Sequence, residues 1–439
     1  MAHSLSAAFA LIALVTLLVG CGRGAPAPSA PAVTRTPGVD VTDEPPAVDL
    51  AKDWPWWRGP LGNNVAVCET APTTWDETTN VVWSVPVPGR GHASPTVCGD
   101  GVYLTTADEQ NERQIVVAYD RATGEERWQT VVSEGGFAGH AHDKNTQANS
   151  TIACDGERLF TAFLHDDEIW LYALDLGGSV VWSTKAGDFA PQFGYAPSPA
   201  VYGSAVLVAL DSLAGGRLVA IDRRSGKIAW IADRTPWASY SSPAVGKIAG
   251  QDQVVLTGGK LTTSYDPKTG EELWRVAAGP ETTCGTPTFD DERVYASGGH
   301  PERMTWAVSA AGSGTILWSN KERVYEPSLL AAKGLVFAVT DEGIAICWDG
   351  TTGEERWKER LGGNFSASPI LCGGNVYVTS DRGETFIFEA TGEEYREVAT
   401  NQLGTDAYAT PVICDSRIYL RVGDSSSGER QERLVCVGQ

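Results

Sequence analysis

Apolar and polar residues alternate in short runs along most of the chain, and the runs recur in a fixed order. A small residue and a Pro open a brief apolar stretch. A polar turn follows, then a second apolar stretch. The order appears in SPTVCGDGVYLTT from Ser94, SPAVYGSAVLVAL from Ser198, TPTFDDERVYASG from Thr286, SPILCGGNVYVTS from Ser368 and TPVICDSRIYLRV from Thr410. Looser copies start at Ser150, Ser242 and Glu326. Runs of this length and period predict strands joined by tight turns. In the first unit they fall near Thr96–Cys98, Val102–Thr106, Ile115–Tyr119 and Arg127–Val132.

A second marker closes each unit. DRATGEERW (Asp120 to Trp128) returns as DRRSGKIAW, DPKTGEELW and DGTTGEERW. The closing aromatics are Trp128, Trp182, Trp230, Trp274, Trp318 and Trp357, with Tyr395 in the seventh place. The eighth start runs out of chain before any Trp, while Trp83 in VVWSVPV precedes the first start. The chain therefore holds seven complete units and one split between its ends. Repeats of four strands and roughly 40–50 residues define a β-propeller, and a ring must close or leave a strand edge bare. An all-β, eight-bladed propeller of four-stranded blades is expected over residues 51–439, its last blade completed by the N-terminal strand.

The Asp–Gly–Trp spacing explains itself on such a frame. Asp120 bonds amides of its own turn, Gly124 supplies the positive φ the turn needs, and Trp128 wedges between blades. Burying about 150–250 Å² of Trp at about 25 cal/mol per Å² is worth about 4–6 kcal/mol gross. The motif builds a frame.

The residues before the repeats read differently. Leu5 to Cys21 is one apolar run, too short for a comfortable span and of the right length for a signal peptide. Leu18-Val19-Gly20-Cys21 resembles the bacterial lipobox, which implies cleavage after residue 20 and a lipid on Cys21. Residues 21–50 are rich in Pro and Ala and are expected to form an extended tether. A lipid-anchored envelope protein follows, on the periplasmic face of a bacterial membrane, with the outer membrane favoured.

Charge narrows the partners. The formal charge of −21 disfavours nucleic acid, whose binding needs a basic surface. Cysteines change the picture little. Cys98, Cys154, Cys372 and Cys414 each follow a unit start by four residues, so they read as small buried hydrophobes. Cys68, Cys284, Cys347 and Cys436 stand at unmatched positions and leave room for one bridge.

AYDRATGEERW, SYDPKTGEELW and CWDGTTGEERW resemble the pyrroloquinoline-quinone-like propeller repeats, and the likeness covers nearly all of the chain after the tether. DWPWWRGP (Asp53 to Pro60) is similar to the opening segment of bacterial propeller lipoproteins. Two branches of that superfamily imply different chemistry. Quinoprotein dehydrogenases imply a quinone in the central funnel, a calcium ion, an Asp base and often adjacent cysteines, and no adjacent Cys pair occurs here. The propeller lipoproteins of the outer-membrane β-barrel assembly machinery imply a scaffold without cofactor. The lean blades and Cys21 suit the second branch, so no cofactor is expected. A quinone-dependent oxidoreductase using pyrroloquinoline quinone with calcium, or a carbohydrate-active propeller, is the alternative.

Loops entering the inner strands should crowd one mouth of the ring. They carry Arg90, His92, His140, His142, Lys144, Asn145, Tyr195, Trp237, Tyr240, Arg323, Tyr325, Phe365 and Tyr408. This basic and aromatic collar is expected to bind an envelope protein or a carbohydrate, as a monomer. His140 and His142 lack a third ligand in their motif, and Asp166–Glu168 and Asp290–Glu292 lack the spacing of a calcium loop, so no metal is expected.

Overall fold

A computed structural model describes residues 32–139, 142, 144–312 and 314–438. Among them every regular element is a strand. Eight antiparallel sheets follow one another around a ring. Seven are built from four consecutive strands, and the eighth combines three C-terminal strands with Val81–Val87. That N-terminal strand pairs with Gln431–Val437, Ser84 opposite Val435. The ring therefore closes as the split unit requires.

The repeated motif holds the blades together as its spacing predicts. Asp120 Oδ1 accepts the amides of Ala122 and Thr123, at 2.9 Å each. Gly124 has φ +75°, and a Cβ there would lie 2.7 Å from the indole of Trp83 in the preceding blade. The glycine is required because the Trp is seated on it. Trp83 Nε1 then donates to the Arg121 carbonyl of the turn it covers. The same contact recurs for Trp128 on Gly178, Trp182 on Gly226, Trp230 on Gly270, Trp274 on Gly314 and Trp318 on Gly353. A small residue of the third strand faces each Trp, among them Ala118, Ala173, Ala220 and Ala307. Cys347 and Cys436 fill that place opposite Trp357 and Trp83. They belong to the repeat after all, as thiols of alanine size.

Tyr395 does not take the seventh wedge position. The connection before the last strand of blade 7 is longer, so that Ala399 stands opposite Ile387 where the Trp belongs. Tyr395 instead packs against Trp357, ring centroids 5.7 Å apart. The N-terminal segment runs along this gap. Trp75 is buried, its amide donates to Asn401 Oδ1, and Asn401 Nδ2 donates to the Thr73 carbonyl.

The expected tether is corrected over its described part. Val33–Arg35 forms a fifth strand on blade 3, Arg35 opposite Trp230. Residues 41–47 then cross to blade 2: Val41 is buried, buried Arg223 donates to the carbonyls of Glu44 and Pro45, and the Ala47 amide donates to Asp155. Pro-rich chain cannot form a core, but it can lie along donors that a blade leaves unpaired. Cys21 and the rest of residues 1–31 lie outside the described residues.

Candidate functional site

Two layers define the axis of the ring. The inner layer is a belt of hydroxyls from the unit starts. The amide of Ser94 donates to Thr151 Oγ1, Thr151 to Ser198, Ser198 to Ser242, Thr286 to Ser328, Ser328 to Ser368 and Ser368 to Thr410, all at 2.9–3.1 Å. At these six junctions a hydroxyl of one blade satisfies an amide of its neighbour, which explains the recurring Ser or Thr at the starts. It also resets the register of the looser copies: Thr151 and Ser328 do this work, rather than Ser150 and Glu326.

The segment Asp53 to Ala66 crosses one face of the ring and closes that end. Trp54 exchanges backbone hydrogen bonds with Val97 of blade 1, and the Pro55 carbonyl accepts from Cys154 of blade 2. Trp57 Nε1 donates to Thr286 of blade 5 at 2.9 Å, and Arg58 Nη2 to the Leu329 carbonyl of blade 6 at 2.7 Å. Asn64 and Ala66 bond blade 7. Arg58 is wholly buried, and burial pulls its pKa down to about 9. DWPWWRGP is therefore the floor of the channel.

Above Trp57 opens a cavity of about 660 Å³ at the opposite mouth. Of the thirteen collar residues expected, eight line it: His92, His142, Lys144, Asn145, Trp237, Tyr240, Tyr325 and Tyr408. Four do not. Tyr195 is a core residue whose hydroxyl donates to the Ala209 carbonyl, and Phe365 is fully buried against Phe386. Arg323 lies over the ring of Tyr325, and the backbone of Arg90 bridges to Ala107. His140 lies outside the described residues. Phe193, Leu213, Glu281, Cys284, His300 and Glu326 also line it, together with hydroxyls of the belt below. Leu213 and His300 come from hairpins joining second and third strands, which share this face with the loops entering the inner strands.

The mouth is not basic as expected. Lys144 Nζ lies 3.1 Å from Glu326 and 3.3 Å from Asp381. Burial works against its charge, yet these two carboxylates hold its pKa above the usual lysine value. His92 stacks on Tyr408, centroids 4.5 Å apart. Burial, then the charges of Arg421, Arg90 and Arg430, push its pKa down to about 3, so it stays a neutral ring at neutral pH. Glu281 pairs with Lys260 at 3.0 Å. Burial pushes the Cys284 thiol up to about 12 and raises Tyr240 and Tyr325. What remains is a largely apolar, aromatic bowl with internally paired charges.

Such a bowl does not fit a polycarboxylate quinone with a divalent cation. Among the described residues no Arg lines the cavity, the one lining Lys is held by two carboxylates, and no group of three His, Cys, Asp or Glu is placed to hold a metal.

Fold and repeat together define an eight-bladed propeller of the pyrroloquinoline-quinone-like repeat class. The family described as outer membrane protein assembly factor BamB matches residues 62–136, 112–359 and 307–395, and the chain belongs to that family. Among solved structures, BamB from Moraxella catarrhalis superposes with a TM-score of 0.57 at 17% identity, over 81% of this chain and 99% of that one. The quinohemoprotein alcohol dehydrogenase from Comamonas testosteroni gives 0.62 at 12% identity, over 89% and 82%. At these identities the likeness is one of fold. A tetrathionate hydrolase of Acidithiobacillus ferrooxidans is 29% identical over 133 residues, 27% of this chain and 25% of the hydrolase. The match thus spans about a quarter of that relative's length.

Proposed function

We propose that the chain is a non-enzymatic envelope lipoprotein, held to the membrane through Cys21, whose propeller is a docking platform for a protein partner in outer-membrane protein assembly. The observation that carries this reading is the composition of the mouth. Phe193 and Leu213 are exposed apolar residues on its rim, Trp237 and Tyr240 stand beside them, and the charged groups are already paired. A protein segment can bury such a surface through aromatic anchors without leaving a charge unpaired. The family description supports the envelope setting.

The test is genetic and biochemical. Deleting the gene should lower the amount of folded outer-membrane β-barrel protein. The unaltered chain should restore it, and a chain carrying Leu213→Asp and Trp237→Ala should not, although it accumulates equally. Unchanged barrel levels on deletion would refute the proposal.

A further inference from the structure

One pair of cysteines is placed for chemistry that the docking role does not use. The structure joins Cys98 of blade 1 to Cys154 of blade 2, Cα atoms 6.6 Å apart, where both were expected as thiols. The strand register explains the pairing. Cys98 stands four residues beyond Ser94 in the hydroxyl belt, whereas Cys154 stands three beyond Thr151. An offset of one residue turns a side chain to the other face of a strand. The two sulfurs therefore face each other across the gap between blades.

Cys372 repeats the position of Cys98 in blade 7. Both close the same hairpin register, Cys98 opposite Gly101 and Cys372 opposite Asn375, four residues beyond their belt hydroxyls. No cysteine of blade 8 meets Cys372, because Cys414 has the same offset and faces the guanidinium of Arg121 at 4.0 Å. The facing sulfur comes instead from the chain just beyond the floor segment: Cys68 Sγ lies 3.2 Å from Cys372 Sγ. Its approach is fixed on the N-terminal side, where the Ala66 amide donates to the Leu371 carbonyl at 2.7 Å and the Leu371 amide to Asn64 at 2.9 Å.

We infer that Cys68 and Cys372 form a second disulfide, which pins the chain just beyond the floor segment to blade 7. Cys68 is partly exposed and Cys372 buried, which sets the order of events. The sulfur contact with Cys372 holds the Cys68 pKa below that of an ordinary cysteine, which favours Cys68 as the attacking thiolate. That thiolate attacks an exchangeable disulfide oxidant of the envelope compartment. One sulfur of the oxidant leaves as a thiol, and a mixed disulfide remains on Cys68. Cys372 then attacks Cys68 Sγ, its proton passing to the second leaving thiolate. Two protein thiols are oxidised, one oxidant disulfide is reduced to two thiols, and one S–S bond is gained. The bond ties residues 304 apart, so it joins the start of the folded body to its last quarter.

The test is peptide mapping of the full chain, isolated from cells under acid quench and alkylated in denaturant before and after reduction. Without reductant, a peptide pair linking Cys68 to Cys372 is expected beside the Cys98–Cys154 pair. Cys284, Cys347, Cys414 and Cys436 should be alkylated. With reductant the linked pairs should disappear. Cys68→Ser should convert Cys372 to an alkylatable thiol and lower the unfolding temperature in oxidising buffer, with no difference from the unaltered chain in reductant. Recovery of Cys68 and Cys372 as alkylated thiols from exported protein, or a Cys68–Cys414 link, would overturn the assignment. So would an equal stability loss for Cys68→Ser in both buffers.

Discussion

Blade 3 and blade 7 carry the same unit, yet their outer edges are stabilised by different means. In blade 3 the motif is complete. Trp230 sits on Gly270, its Nε1 donates to the Pro267 carbonyl, and the strand Val33–Arg35 covers it until 1% of its surface is exposed. In blade 7 the longer connection displaces the aromatic, Ala399 stands in the wedge position, and residues 73–75 from the N-terminal segment fill in. A repeat can thus lose its key residue where a second piece of chain supplies the volume, because close packing demands filled space and not a particular residue.

That contrast can be broken deliberately. Trp230→Ala should cost about 3–5 kcal/mol, since it opens a cavity that no neighbour can fill; equilibrium urea unfolding measures it. Restoring the repeat with Ala399→Trp should destabilise by about 1–3 kcal/mol, because the site is already packed. A stabilised Ala399→Trp variant would show that the N-terminal segment does not occupy the wedge. His92 ties the mouth to pH. The folded state keeps it neutral down to about 3, whereas the unfolded chain protonates it below about 6.5. The unfolded state therefore binds more protons in that window. Stability should fall as pH drops through it, by at most about 1.4 kcal/mol per pH unit for one proton, and His92→Gln should remove that slope. Tyr395→Ala, which removes a partly buried ring outside the wedge, should cost less than Trp230→Ala, about 1–2 kcal/mol.

The frame was legible in the sequence because its determinants are local. Asp120, Gly124 and Trp128 lie within one turn and one strand, so their spacing carries the geometry. Tyr395 misled because a longer connection shifts register while composition stays similar. The collar was legible as a set of loops, but not as a surface. Whether Phe193 or Tyr195 faces the channel depends on packing two residues apart. Lys144 looked like free charge because its partners, Glu326 and Asp381, lie 182 and 237 residues away. Leu213 and His300 were missed because hairpins between second and third strands were not read as sharing the mouth. The Pro-rich segment misled because composition reports its failure to form a core and says nothing of its fit against one.

The most direct test of the docking account is site-specific photo-crosslinking in living cells. A photoreactive residue at Leu213 or Phe193, on the rim of the mouth, is compared with one at Leu317, an exposed apolar residue on the outer strand of blade 5. The account predicts one discrete adduct with the same envelope protein from both rim positions and none from Leu317. No adduct at the rim, together with saturable, calcium-dependent binding of pyrroloquinoline quinone to the purified chain, would contradict it.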